Sequence, residues 1–530
     1  MDSVEETKHT TLKPSNEAAN PSEAEIAKGD VSITGQLDMP MKRKFNILSI
    51  VAVGYNISNS WVAIAASFAI AIQSGGAVSL LYGIILVTFA MLCTGVTLVE
   101  LASVYPTAGG QYHFTSILAS RRWSRGLSYS SGLAAIFSLI CLGASIGLSA
   151  TNALMAIVIR WQPGYQSQAW HSFLVYQLFN VVVGVYNVSF LLSIVTLFVI
   201  TITCPARSGI HVDSNDIWST FVNGSGGWPD GISFLIGLST PQFMLSGLDA
   251  TLHLAEECLD PERVVPKAVL VTVMVGFLTA FPFSIGIIYS YNDVAQSLTT
   301  NTGFPIFFIW EKATHSPAAA TVFMASLFVI SCVAFKAVHQ TASRLTWSFA
   351  RDEGLFFSSR IASVHPLLGI PLYALTLNGV LVFLVGIVYV CSSTAFNSFI
   401  STTVTVIVAQ ISYAIPAALL LLRRRSSKYL PADRPFKVPN VLGYISNVVC
   451  VIWAVILSVF FCFPTVRPVS GGNMNYASVV LVVMLLFGVA NWFAYARKHY
   501  HGNLGTRPMH IRHTSGRYWL VRRIYVATIG

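Results

Sequence analysis

The residues of this chain best suited to chemistry fall in two short clusters of small and polar side chains, each set inside a long apolar run. The first is Gly54-Tyr55-Asn56-Ile57-Ser58-Asn59-Ser60, within the run from Ile47 to Ile72. The second is Ser239-Thr240-Pro241-Gln242, followed by Ser246-Gly247, within the run from Gly231 to Leu254. Amides and hydroxyls supply hydrogen-bond donors and acceptors, while Pro241 removes a backbone donor and kinks a helix. In a bilayer an unpaired backbone N–H or C=O costs several kcal/mol, so helix-breaking sequence is tolerated where the freed groups line a cavity or meet a ligand. Matching positions in the two halves of the chain point to a solute site made by discontinuous helices. The candidate binding residues are therefore Gly54, Asn56, Ser58, Asn59, Ser60, Ser239, Thr240, Gln242 and Ser246. The plainer reading is that small residues let helices approach closely. The density of the first cluster, with two Asn, favours a broken helix whose half-helix N-terminus offers free N–H groups to a carboxylate.

Other side chains near these clusters carry a second set of expectations. Tyr55, Trp61 and Phe243 lie beside the breaks; they are packing or interface residues, or, for Trp61 and Phe243, gates. An aromatic face is worth about 0.5–2 kcal/mol to a quaternary ammonium ligand. Asp249 is an acid inside an apolar run, which is costly and hence functional by default. Its place near the inner end, just before Glu256 and Glu257, favours a structural hydrogen-bonding role over ligand contact. Glu100, with Arg344 and Arg351 on another inner end, is a candidate cytoplasmic gate. Lys336 is the basic residue set deepest in an apolar run, about 12 Å from Arg344 along a helix, so it snorkels to the interface or serves in ion coupling.

The elements that must position these residues are read from composition. The chain of 530 residues is 54% hydrophobic and 10% charged, which makes it a polytopic membrane protein of all-α class. Apolar spans fall at 46–72, 77–104, 125–158, 171–187, 188–204, 231–254, 265–291, 318–343, 371–391, 395–422, 441–463 and 475–496, twelve in number. Residues 1–44 read as a disordered cytosolic tail, 45–497 as the membrane domain, and 498–530 as a basic cytosolic tail. The net charge of +10 lies in short loops rather than on one soluble face, which argues against a nucleic-acid partner. With the N-terminus inside, the loops holding Arg121 to Arg125, Arg263 to Lys267, Arg344 to Arg360 and Arg423 to Lys437 are all cytoplasmic. A single long span from His171 to Cys204 would put Arg423 to Arg425 outside, so two short spans with a turn near Tyr186-Asn187 are preferred. A sequon, Asn223-Gly224-Ser225, then lies in an outer loop. The eight cysteines include no CxxC pair and have no histidines clustered nearby, so neither a metal site nor a disulfide framework is indicated.

Several longer motifs carry a family resemblance. The segment from Gly75 to Gly83, ELASVYPTAGGQYH from Glu100 to His113, GLDATLHLAEE from Gly247 to Glu257, PERVVPKA from Pro261 to Ala268 and HQTASRLTWSFARDEGL from His339 to Leu355 resemble the fungal amino acid/choline/GABA permeases of the amino acid–polyamine–organocation superfamily. The resemblance runs from about Leu37 to His501 and is specific to the family, not to a substrate. It implies two inverted five-span repeats plus two extra spans, with substrate held between spans one, three, six and eight. It also implies a place for Lys336 between the first and eighth spans, where sodium-coupled relatives hold an ion. The chain departs from the family where a connecting segment between Asn187 and Val188 is missing, and in its end from Gly505 to Gly530.

No HExxH or phosphate-binding glycine loop is present, so an enzyme is not expected, and neither is a cofactor. The expectation is a plasma-membrane secondary transporter importing an amino-group-bearing metabolite, amino acid or GABA first and choline second, with membrane lipid around it and a proton as coupling ion. A non-transporting nutrient receptor is the rival of a different class.

Overall fold

The computed structural model describes residues 45–502 apart from 163, 182–185, 210–211, 292–293, 392–401 and 472–473. The predicted tail 1–44 and the unusual end from Gly505 lie outside the described residues, and the membrane domain itself reaches past 497. The fully buried Tyr500 shares a 2.6 Å hydrogen bond with Ser128 of the third span, and its carbonyl accepts from Arg125 at 2.8 Å.

Among the described residues ten helices are long and apolar enough to cross a membrane: Ile47–Gln73, Gly76–Val104, Arg121–Trp161, Ser189–Ser208, Asp230–Glu257, Pro261–Tyr289, Pro317–Arg351, Thr403–Leu422, Asn440–Phe460 and Ala477–His499. A shorter apolar helix, Leu372–Val388, is the ninth span of the sequence reading. The fourth is Ala169–Val181, of 13 residues, and the fifth is the helix Tyr186–Ser208. The predicted turn at Tyr186-Asn187 is therefore corrected: the helix runs through these residues, and the junction at 182–185 lies outside the described residues.

Lys336 Nζ donates to the Asn180 carbonyl at 2.9 Å, and Asn180 Nδ2 donates to the Gly379 carbonyl of the ninth span at 3.1 Å. This puts the ammonium against the fourth span rather than between the first and the eighth. Lys336→Met should lower thermal stability in detergent by about 1.5–3 kcal/mol, the worth of a hydrogen bond from a charged donor, and leave accumulation of substrate intact. Normal stability with lost accumulation would overturn this structural role.

The broken spans are held to their neighbours at both ends. On the outer side Ser74 and Gly75 pair antiparallel with Asn223 and Val222, tying the end of the first span to the loop that carries the sequon. Asn223 is exposed there, and its amide donates to Trp228 and Asp230. On the inner side Phe45 N–H donates to the Glu257 carbonyl at 3.1 Å, joining the start of the first span to the end of the sixth. Between them Gly54 is a point of close approach: a Cβ there would lie 2.8 Å from Thr251 Cγ2 and 2.9 Å from Thr272 Oγ1. Gly54 thus serves the contact of three spans, the small-residue role that sequence left open for it.

Candidate binding site at the broken spans

The first span breaks at one residue. Ile47–Ser58 and Ser60–Gln73 are separate helices joined by Asn59, whose φ of 30° and ψ of 64° are left-handed. Asparagine is among the few non-glycine residues that visit this region readily. In the sixth span the break is displaced from the predicted Ser239-Thr240-Pro241-Gln242, because Ser239–Phe243 is helical. Pro241 leaves only an irregularity one turn earlier at Leu238, still right-handed at φ −61°. The interruption falls at Met244 to Gly247, where Gly247 has φ 77° and a Cβ would come within 2.5 Å of Ile57 Cγ2. Beyond it the chain continues as a tighter 3₁₀ helix, Leu248–Glu257.

The two breaks touch. Ser60 Oγ donates to the Met244 carbonyl at 2.7 Å, satisfying one of the groups the sixth span leaves free. Beside them lies a small cleft. Its walls are Ile57, Ser58, Asn59, Val62, Ala63 and Ala66 of the first span, Leu142, Ile146 and Ser149 of the third, Phe243 of the sixth, and Ser331 and Ala334 of the eighth. Of the predicted residues, Ser58, Asn59 and Phe243 border it. The Ser58 hydroxyl turns back to the Gly54 and Tyr55 carbonyls, at 3.3 Å each.

The remaining predicted residues stand behind this wall. Asn56, Ser239 and Ser246 are buried without bordering the cleft. Thr240 Oγ1 donates to the Ser67 carbonyl at 2.8 Å, stapling the outer halves of the two broken spans. Gln242 points the other way, donating to Met91 Sδ at 3.1 Å and accepting from Trp453 Nε1 at 2.9 Å. Trp61 is fully buried on Phe283, 5.3 Å between ring centres, rather than poised over the cleft.

Trp61 nevertheless acts on the site through a residue that sequence did not single out. Its indole N–H, a donor only, gives to Ser193 Oγ at 2.9 Å, so the Ser193 proton is free to go to Asn59 Oδ1, 3.0 Å away. That relay fixes the amide orientation and leaves Asn59 Nδ2 as the end without a partner among the described residues. Ser331 Oγ on the opposite wall is unpaired as well. Ser193, Ser149 and Ser331 were missed because a lone serine in an apolar run gives no sign of the face it takes.

Beneath the cleft the bundle is closed by charge. Arg344 pairs with Glu257 at 2.7 Å and Arg351 with Glu256 at 2.9 Å, joining the eighth span to the end of the sixth. Glu100 does not meet Arg344 as the predicted gate required; it is paired with Arg425 and Arg434 of the loop after the tenth span. Just past the eighth span, burial would raise the Asp352 pKa, but His113, Arg351 and Tyr112 outweigh it and hold the carboxyl below its ordinary range. Asp249 accepts from Gln111 at 2.6 Å and from Tyr413 at 2.8 Å. The cleft thus lies beside the breaks, toward the Ser60–Gln73 half-helix, and these ion pairs lie at the other end of the two broken spans.

The sequence of this chain is similar to those of known proteins. The chain is 34% identical over 490 residues to a choline transporter of Saccharomyces cerevisiae, covering 90% of this chain and 85% of that one. It is 29% identical to a swainsonine transporter of Arthroderma benhamiae, over 90% of this chain and 97% of the relative. A 7-keto 8-aminopelargonic acid transporter of Saccharomyces cerevisiae is 26% identical, with 86% and 92% covered. These relatives are transporters, not enzymes. The family described as amino acid permease matches residues 45–486, and this chain, a multi-pass membrane protein, belongs to that permease family.

Proposed function

We propose that the protein is a proton-coupled importer of choline or a closely similar small onium solute at the plasma membrane. The observation that carries this reading is the Trp61–Ser193–Asn59 relay, which leaves one amide donor without a partner among the described residues, on a side chain bordering a cleft otherwise walled by apolar groups and hydroxyls. Choline presents one hydroxyl for that donor and methyl groups for the apolar wall, with Phe243 supplying an aromatic face. No side chain bordering the cleft is charged, so a carboxylate would lack a cationic partner there. The similarity to a choline transporter supports the same order and reverses the sequence preference for an amino acid. An amino acid is the second reading, favoured by the start of the Ser60–Gln73 half-helix, whose positive dipole end suits a carboxylate.

The test is uptake of radiolabelled choline, GABA and neutral amino acids in transporter-deficient cells expressing this chain. Saturable choline uptake, abolished by a protonophore and weakly inhibited by GABA, is expected. Background choline uptake beside saturable amino acid uptake would favour the second reading. Failure to move any of these solutes, with the protein at the surface, would favour a receptor.

A further inference from the structure

Two residues past the break in the sixth span, Asp249 begins a buried cluster that transport through the cleft leaves unused. Its Oδ2 accepts from Gln111 Nε2 at 2.6 Å and lies 3.1 Å from His253 Nε2, while Oδ1 accepts from Tyr413. His253 is fully buried, and its Nδ1 is 2.8 Å from the Ala108 carbonyl oxygen. A neutral imidazole has one N–H and one lone pair. The Ala108 carbonyl can only accept, so the N–H must be at Nδ1. The Nε2 lone pair would then face a carboxylate oxygen, two acceptors in contact, unless the pair holds one more proton on either residue. His113 makes the contrast: its Nε2 faces Asp352, but its Nδ1 faces the Thr107 hydroxyl, which can donate, so the neutral ring suffices.

The surroundings supply no other compensation. The tenth span presents Tyr413 and the short helix after the second span presents Gln111, both neutral donors. The inner half of the first span carries no acid or base, and the seventh presents Thr272 toward Gly54 while its Lys267 is exposed. Farther along the same 3₁₀ helix, Glu256 and Glu257 are matched by Arg351 and Arg344.

We propose that the Asp249–His253 pair is the proton-binding site through which solute movement is coupled, a reading that rests on the proton-coupled function above. With the proton bound the cluster is neutral and holds Ala108. With the proton released to the cytosol, Asp249 and the His253 lone pair repel, and His253 must give up one contact. The Ala108 contact is the one that bears on closure, because the Ala108 N–H also donates to Glu256 at 3.3 Å, within the Glu256–Arg351 pair. Proton loss therefore loosens the inner layer from the half-helix that begins at the solute site. Only an N–H or O–H bond is made or broken.

The experiment uses the full chain in proteoliposomes, with radiolabelled choline and an acid-outside gradient. Asp249→Asn supplies an amide donor to the His253 lone pair, mimicking the loaded pair without a titratable proton. It should still exchange labelled for unlabelled choline but accumulate no more with the gradient than without it. Wild-type accumulation in Asp249→Asn, or in His253→Gln, would overturn the site while leaving proton coupling intact; a wild type indifferent to the gradient would overturn the proton-coupled reading itself. If neither variant reaches the membrane, ¹⁵N-histidine spectra of wild-type protein decide. A histidine resonance with protonated Nδ1 whose Nε2 shift moves from the bare to the proton-bound value as the pH is lowered is expected, and an Nε2 that stays bare at every pH at which the gradient drives accumulation would sink the proposal.

Discussion

Asn59→Leu is expected to abolish uptake, and Asn59→Gly, which accepts the left-handed backbone without strain, is expected to do the same. Both variants remove the Nδ2 donor at the cleft and leave the Ser193 hydroxyl without its acceptor. The solute's polar group then enters a buried site with no partner, a cost of about 1–3 kcal/mol beyond the lost bond itself. Leucine adds the strain of a left-handed conformation, which glycine avoids. Agreement between the two variants therefore isolates the amide from the backbone. Ser193→Ala should be milder, losing about 1 kcal/mol because the amide is retained but no longer oriented. The measurements are initial rates of saturable uptake set against surface protein. Asn59→Gly with a wild-type rate would remove this amide from the binding site.

Glu100→Ala should stop the protein from accumulating in a folded form at all. The Glu100 side chain is wholly buried between the guanidinium groups of Arg425 and Arg434, themselves almost completely covered. Removing the acid leaves two like charges without compensation, where breaking a single buried pair already costs about 3–5 kcal/mol. The readout is the monodisperse peak of a fluorescent fusion in mild detergent, expected to vanish. A gating residue would behave differently, reaching the membrane with altered transport, and that result would restore Glu100 to the role its sequence position suggested. Glu100→Ala combined with Arg434→Met should recover part of the peak, since one of the two stranded charges is gone.

The spans were legible because crossing a bilayer imposes a length and a composition. The break in the first span was legible too, since two asparagines and three other small residues in a short stretch have few other uses there. The sixth span misled at Pro241, where a proline signals a kink that the helix absorbs within one turn. The larger change of direction needs a left-handed residue, and Gly247 supplies it. Gln242 and Thr240 show a second limit: polarity inside a span says that a partner exists but not on which face, and theirs are Met91, Trp453 and the Ser67 carbonyl. Likewise Glu100 and Arg344 both fall near predicted inner ends of spans, yet their partners come from a loop and from the sixth span, which only the folded chain reveals.

The staples across the broken spans have a mechanical consequence. Thr240 holds the two outer halves together, Phe45 and Glu257 hold the two inner halves together, and the pivots, Asn59 and Gly247, lie between. Each pair must swing as one arm. The inner arm of the first span has 12 residues, about 18 Å of helix, so a turn of about 10° at the pivot moves its cytoplasmic tip by about 3 Å. On the proposed function, a solute resting against Asn59 and Phe243 would sit at the fulcrum, where a displacement too small to disturb its own contacts would be magnified into an opening on the far side of the membrane.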